Sequence, residues 1–354
     1  MRLDLLKRLC ETPGIPGYEE RIREIVIPEL RETCDEVSTD ALGNVIGIKR
    51  GQGAQGGDAR RKVMLAAHMD EIGFMVSHVD DQGFLRLQPL GGFDPRALFQ
   101  QRVLVHTQGG ESHRGVLAPA AKPAHLLDAA EREKAPKLEQ FYVDLALPGE
   151  RVKELVAVGD MVTLDRTVEE IGDCVIGKAF DDRLSVFIML EALRALRATE
   201  CDLYAVATVQ EEVGLRGAQT SAYAIDPDLS VALDVTLAMD LPGAAAEGQI
   251  TRLGAGAAIK LMDSSSISNP KLVRAFREIA EREGIKYQME ILPRGGTDAG
   301  AMQRARAGSA AITLSTPTRY VHTVNEMAHK EDIQACIDLL ARFLERAHEV
   351  EYSL

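Results

Sequence analysis

The second half of the chain alternates between apolar strand patterns and amphipathic helix patterns. The strand patterns include residues 203–209 and 229–233, and the longest helix patterns cover 182–197, 270–283 and 330–349. Such alternation is typical of a sheet of largely parallel strands with helices on both faces. The sequence therefore predicts an α/β fold, with a three-layer α/β/α domain.

A different pattern occupies the stretch after residue 72. Short strand patterns dominate it, and Asp-Asp-Gln-Gly at 80–83 is a hairpin signal between two of them. Long helix patterns are scarce, and 124–133 is the best candidate. We interpret 73–165 as an inserted, small β-barrel-like domain. It interrupts a domain formed by 1–72 and 166–354.

Charge and cysteine content exclude several classes of function. The 354 residues carry a net charge of −13, so we expect no nucleic-acid partner. The five cysteines are scattered and include no CxxC pair, which argues against both a disulfide framework and a thiolate zinc site. We find no signal peptide or membrane-spanning pattern and expect a cytoplasmic protein without a membrane partner.

One apolar strand pattern ends in a pair of residues suited to metal chemistry. Residues 63–67 are all apolar, and His68-Met-Asp70 follows them directly. Strand side chains alternate between faces, so His68 and Asp70 point the same way. One of them can ligate a metal while the other orients the ligand.

Other acidic and imidazole groups stand at the ends of predicted elements. They are Asp181 with Asp182, Glu211 with Glu212, Asp234 and His322. Each has a plain explanation by itself, such as helix capping or a solvated helix start. As a set they point to one crevice at the carboxyl ends of the strands. Two imidazoles and three carboxylates suit two zinc-like ions with a bridging carboxylate, which leaves a second glutamate as a general base.

Six segments together resemble a known family. They occur in the order 67–73 (AHMDEIG), 177–183 (GKAFDDR), 210–217 (QEEVGLRG), 232–235 (ALDV), 295–299 (GGTDA) and 317–323 (PTRYVHT). As a set they resemble the dinuclear metallo-aminopeptidases of the tetrahedral (TET) type, which include glutamyl and deblocking aminopeptidases and relatives described as endoglucanase-like. The resemblance covers nearly the whole chain.

The resemblance implies a role for each site residue. It assigns the metal ligands as His68, Asp181, Glu212, Asp234 and His322. Asp181 would bridge two divalent ions, with zinc as the first choice and cobalt or manganese as alternatives. Glu211 would act as the general base, and Asp70 would orient His68. The substrates would be short peptides, shortened from the amino terminus.

The resemblance also implies an assembly. The insertion corresponds to the dimerisation domain of the family, whose members commonly form a homo-oligomer, a hollow tetrahedral dodecamer. It further implies a cis peptide between Asp181 and Asp182. One departure stands near His322, because Val324 occupies a position where we expect proline.

Other functions stay open at this stage. A deacylase of N-acyl amino acids or amino sugars could use the same metal site. A glycoside hydrolase could use Glu211 and Asp70 as paired carboxylates, although the histidines would then be superfluous. A silent assembly or binding protein is a further alternative, but the intact ligand set argues against it. The segment 295–298 is either a capped turn or part of a substrate pocket, and Arg294 and Arg319 are candidates to hold a carboxylate.

Overall fold

The computed structural model describes residues 1–52, 60–120, 122, 124–126, 128 and 136–354. Its helices span Leu3–Glu11, Glu20–Arg31, Gly149–Leu155, Phe180–Ala195, Arg216–Ile225, Pro270–Glu283, Asp298–Gln303 and Lys330–Arg346. Its strands are β1 Glu36–Thr39, β2 Val45–Lys49, β3 Lys62–His68, β4 Gly73–Val79, β5 Leu85–Leu90, β6 Gln101–His106, β7 Ser112–Pro119, β8 Phe141–Asp144, β9 Met161–Leu164, β10 Glu169–Ile171, β11 Cys174–Gly177, β12 Asp202–Thr208, β13 Leu229–Leu237, β14 Ala257–Met262, β15 Tyr287–Ile291, β16 Ala310–Arg319 and β17 Glu326–His329.

Eleven of the described strands form one mixed sheet. Its main path runs β1-β2-β12-β3-β13-β16-β17-β11-β10, and β14 joins β15 to β16. The four strands β12, β3, β13 and β16 are parallel to their neighbours in this group, whereas the outer pairs are mostly antiparallel. The carboxyl ends of these four strands therefore meet at one edge of the sheet.

The remaining strands close into a six-stranded barrel. Its order is β4-β5-β8-β7-β6-β9, and it has an apolar core of its own around Phe74, Val105 and Phe141. The helix predicted at 124–133 is replaced at 124–126 by a short 3-10 turn, and most of its remaining residues lie outside the described part. The α/β sheet and the barrel together confirm the predicted fold class.

Strand β3 is apolar between its end residues Lys62 and His68 because both of its faces are covered. Val63 and Leu65 pack into the large core on one face, while Met64 and Ala66 pack into a smaller cluster on the other. All four side chains are fully buried. Covered on both faces, the strand delivers its last residue, His68, to the edge where the parallel strands end.

Buried charged side chains connect residues 9–14, near the amino terminus, to the start of the helix Phe180–Ala195. Arg183 is completely buried and donates to the carbonyl oxygens of Leu9, Thr12 and Gly14 at 2.6, 3.0 and 3.0 Å. Beside it, the ammonium group of Lys178 lies 2.5 Å from Oε2 of Glu71. This network holds residues 9–14 against the segment that carries Asp181.

Candidate active site

Side chains from five parts of the fold meet in one pocket of about 420 Å³. The sequence-predicted residues that line it are His68, Asp181, Glu211, Glu212, Asp234 and His322. His68 ends β3 and Asp234 lies within β13, whereas Glu211 and Glu212 follow β12. Asp181 lies in the first turn of a helix, and His322 lies in the turn between β16 and β17. The parallel strand order brings these distant positions together.

The carboxylate of Asp181 faces both imidazoles of the site. Its Oδ1 lies 3.1 Å from Nε2 of His68, and its Oδ2 lies 3.2 Å from Nε2 of His322. The peptide bond between Asp181 and Asp182 is cis. Asp181 therefore presents one carboxylate oxygen to each of the two imidazoles.

The potential ligand atoms form two overlapping groups. One comprises His68, Asp181 and Glu212, and the other comprises His68, Asp182 and Asp234, with all ligand atoms in each group within 4.8 Å of one another. Asp182 was not expected among the ligands. Its Oδ2 accepts a hydrogen bond from the backbone amide of His68 at 3.1 Å.

Unpartnered buried oxygens show that the donor set fits divalent cations. Oδ1 of Asp182 and Oδ1 of Asp298 are buried and have no hydrogen-bond partner among the described residues, and the buried Oε1 of Glu212 has only the imidazole of His322 beside it, at 3.3 Å. Leaving carboxylate oxygens buried without a partner is costly. Mixed imidazole and carboxylate ligands are those that zinc and similar ions accept.

The pKa values of the pocket residues are shifted by burial and by the close acidic groups. Burial, and then the negative charge of neighbouring carboxylates, raises the pKa of Asp234. Burial disfavours the charged form of His322, but hydrogen bonds to Asp181 and Glu212 outweigh it and raise the pKa of His322 to about 12. Burial also opposes ionisation of Asp181, yet its hydrogen bonds with His322 and His68 lower its pKa. So many close acidic groups favour a bound cation.

Asp70 contacts the backbone of Glu211 and Glu212 as well as the imidazole of His68. The ring nitrogen Nδ1 of His68 lies 3.0 Å from the carbonyl oxygen of Asp70 and 3.5 Å from its Oδ1. The carboxylate itself accepts hydrogen bonds from the backbone amides of Glu211 and Glu212, at 3.0 and 3.1 Å. Asp70 is completely buried and does not line the pocket itself.

Two further buried carboxylates were missed by sequence reasoning. Glu326 accepts hydrogen bonds from the backbone amides of Phe180, Asp181 and His322. Burial, and then the charge of Asp181, raises the pKa of Glu326 to about 8. Asp298 accepts a hydrogen bond from the hydroxyl of Thr208 at 2.6 Å. For Asp298 the GGTDA segment was a signal, whereas Glu326 is marked only by its place four residues after His322.

The segment 295–298 contributes to the pocket wall. Gly295, Gly296 and Thr297 line the pocket. The Thr297 hydroxyl makes no helix-capping hydrogen bond; it donates to Asp263 at 3.3 Å and lies 2.9 Å from the hydroxyl of Thr313. Arg294 is exposed at this wall and forms no ion pair with any described residue. Arg319 is instead held by Asp240 through two contacts of 2.8 Å and does not line the pocket.

Apolar side chains and one buried lysine complete the wall. The apolar residues are Leu215, Val235, Leu237, Leu292 and Val321. Lys260 is fully buried, and its ammonium group lies 3.2 Å from Oε1 of Glu290 and 3.8 Å from Oδ2 of Asp263. The pocket thus combines a polar, metal-type end with a largely apolar side.

An imidazole and carboxylate cluster at the carboxyl edge of an α/β sheet is typical of metal-dependent hydrolases. Residues 43–339 match the M42 glutamyl aminopeptidase family, and the chain belongs to that family. It is 37% identical over 358 residues to the lysyl aminopeptidase of Pyrococcus furiosus, and the match covers 99% of both chains.

Solved structures support the same assignment. Aminopeptidase APDkam598 from the archaeon Desulfurococcus kamchatkensis is 40% identical and has a TM-score of 0.91, covering 97% of this chain and 94% of its own. The TET1 peptidase of Pyrococcus horikoshii, which can assemble into a tetrahedron or a large octahedral shell, is 32% identical with a TM-score of 0.84 over 97% of this chain and 98% of its own. The resemblance to TET-type aminopeptidases is therefore confirmed, and the chain is a hydrolase of the aminopeptidase class.

The glycoside hydrolase alternative is not favoured, because both carboxylate oxygens of Asp70 accept hydrogen bonds from backbone amides and Asp70 has no exposed surface.

Within the described residues, every helix is too short or too polar to cross a bilayer.

Proposed function

We propose that this protein removes amino-terminal residues from short peptides by using two divalent metal ions and a glutamate base. The observation that carries the proposal is the position of Asp181 between the imidazoles of His68 and His322. One ion would be held by His68, Asp181 and Asp234, with Asp182 close enough to contribute. The other would be held by Asp181, Glu212 and His322. Bound divalent ions of this type polarise the scissile carbonyl and lower the pKa of water.

Glu211 is the residue that we assign as the general base. Its carboxylate lines the pocket and makes no hydrogen bond to another described side chain, so it is available to accept a proton from water. Its Oε2 lies 3.8 Å from Nε2 of His68, next to the proposed metal position. The hydrogen bond from its amide to Asp70 keeps the carboxylate at this place. Glu212, by contrast, faces His322 at 3.3 Å and suits a ligand role.

The pocket wall supports binding of a peptide end. The apolar residues Leu215, Leu237 and Leu292 can contact the side chain of the first substrate residue. The carboxylates at the metal end would attract the positively charged α-amino group. Zinc is the first choice for the ions, and cobalt or manganese would suit the same ligands.

We also propose the quaternary and cellular setting. The barrel formed by residues 73–165 is assigned as a dimerisation domain inserted into a catalytic domain of 1–72 and 166–354. The tetrahedral assembly of the Pyrococcus horikoshii relative supports a homo-oligomer, with a tetrahedral dodecamer as the specific expectation. We expect a cytoplasmic enzyme without membrane or nucleic-acid partners.

Metal analysis combined with one isosteric variant tests this function. Purified protein should hold close to two divalent ions per chain, and chelation should abolish hydrolysis of aminoacyl-anilides. Glu211→Gln should keep both ions and lose at least about 100-fold in kcat, because general-base assistance contributes about 10² to 10⁴. Glu278→Gln, which changes an exposed glutamate outside the pocket, is the matched control.

The same assay separates the proposed activity from deacylation. A panel of aminoacyl-anilides beside N-acetyl amino acids should show turnover of the anilides only. Turnover of the N-acetyl compounds alone would favour the deacylase instead. Full activity in Glu211→Gln would reject Glu211 as the base.

A further inference from the structure

Buried carboxylates behind the pocket hold the backbone of the proposed ligands. Asp70 accepts the amides of Glu211 and Glu212, and Asp182 accepts the amide of His68. Glu326 accepts the amides of Asp181 and His322, which belong to segments about 140 residues apart in sequence. We propose that Glu326 is a positioning residue that fixes Asp181 and His322 relative to each other. This inference rests on the proposed two-metal function.

Both carboxylate oxygens of Glu326 accept hydrogen bonds from backbone amides. Its Oε2 accepts from Phe180 at 2.6 Å and from Asp181 at 3.2 Å, while its Oε1 accepts from His322 at 2.7 Å. The residue is 2% exposed and does not line the pocket. Glu326 therefore acts on the site only through the backbone of other residues.

The segment around His322 needs such a support. Residues 320–325 form turns and bends outside the strand ladder, and His322 has a φ of 63°. A left-handed backbone at a non-glycine residue persists only where the surroundings hold it. Glu326 provides a hydrogen bond at this residue, and the nearby Val324 packs against the barrel core.

A carboxylate is the group that this position requires. Three N–H donors point at its two oxygens, so both oxygens must accept. A glutamine has one accepting oxygen, and its amide group would place N–H against N–H at the other side. The substitution should therefore release either His322 or the Asp181 segment while leaving the shape of the side chain unchanged.

The test compares Glu326→Gln with a buried carboxylate elsewhere. Asp332 is the matched control, because it is also fully buried and accepts two backbone amides, from Gly254 and Gly256, both at 2.7 Å. In Glu326→Gln the affinity of chelator-treated enzyme for Zn²⁺, measured by titration calorimetry, should fall about 10- to 100-fold. At saturating Zn²⁺, kcat should fall while KM stays within about twofold. Asp332→Asn should lose stability but keep Zn²⁺ affinity and kcat.

Several results would overturn the inference. Wild-type Zn²⁺ affinity and kcat in Glu326→Gln would reject it, and so would equal losses in the Asp332→Asn control. If Glu326→Gln does not fold, hydrogen exchange of the wild-type enzyme decides, since fast exchange at the His322 amide would contradict the contact. A wild-type protein that binds no metal would reject the proposed function itself, whereas an active, metal-bound wild type with an unaffected variant would reject only the role of Glu326.

Discussion

The backbone amide of Glu211 donates a hydrogen bond of 3.0 Å to Oδ1 of Asp70. The other oxygen of Asp70 accepts from Glu212 at 3.1 Å, so one buried carboxylate holds the proposed base and a proposed ligand side by side. The main-chain carbonyl of Asp70 meanwhile contacts the ring of His68. Asp70 therefore connects the ends of β3 and β12 at the point where the proposed chemistry occurs.

Replacing Asp70 tests this connection. Asp70→Asn keeps one accepting oxygen but turns an N–H toward an amide donor, so the Glu211-Glu212 turn should shift. We expect kcat to fall about 10- to 100-fold, the range usual when a residue behind the ligands is altered, and the metal content to change less than kcat. Steady-state kinetics and metal analysis of the same samples measure both quantities. Loss of both ions would contradict the role assigned to Asp70.

The bridging role proposed for Asp181 predicts a difference between two ligand variants. Its two oxygens face His68 and His322 at 3.1 and 3.2 Å, whereas Asp234 is proposed as a ligand of one ion only. Asp181→Ala should therefore reduce the occupancy of both metal positions, and Asp234→Asn should leave close to one ion per chain. Elemental analysis after dialysis measures the stoichiometry. Two ions retained in Asp181→Ala would exclude a bridge.

The buried guanidinium of Arg183 predicts a large stability effect. It satisfies three carbonyl oxygens and lies 3.8 Å from Glu71. Arg183→Met should lower the free energy of unfolding by about 3–5 kcal/mol, because it leaves buried polar groups without a partner. Arg194→Met removes partly exposed ion pairs with Glu29, Glu32 and Glu191 and should cost about 1 kcal/mol or less. Denaturant unfolding of the two variants makes the comparison, and equal losses would show that burial of Arg183 has no special effect.

His106 in the barrel predicts a pH dependence outside the pocket. Its nitrogens contact the hydroxyls of Ser112 and Thr163 at 2.8 and 2.9 Å. Burial, and then the positive charges of Arg21 and Lys178, lowers the pKa of His106 from 6.5 to about 4.

The sign of this effect follows from proton binding. Between pH 6.5 and 4 the unfolded chain binds a proton at His106 that the folded chain does not bind. Stability should thus rise with pH in this window, and His106 should account for up to about 3 kcal/mol of the loss on acidification. Thermal melts of His106→Gln should show a weaker acid dependence than the wild type. The exposed His78 of the same barrel provides the control variant His78→Gln, and identical curves for all three proteins would contradict the prediction.

Sequence patterns were sufficient where local physics decides the structure. The apolar run 63–67 predicted a strand, and the separate packing of Val63 and Met64 on opposite faces explains why the run is continuous. Asparagine is a favoured residue at helix amino termini, and Asn269 precedes the helix Pro270–Glu283, where its side chain accepts the amides of Lys271 and Leu272. The candidate cluster was also readable, because separate plain explanations for so many carboxylates and histidines at the ends of elements are improbable as a set.

The sequence by itself determined the α/β class, the β insertion, the family resemblance and the set of residues that converge on the pocket. Only the tertiary structure decided how those residues are held. The positions of Glu326, Asp182 and Arg183 depend on contacts between segments distant in the chain, and the hydrophobic periodicity of the sequence carries no information about such contacts. The same is true of Asp70, since a strand pattern places its side chain on a face but does not show that two amides from the end of β12 occupy both of its oxygens.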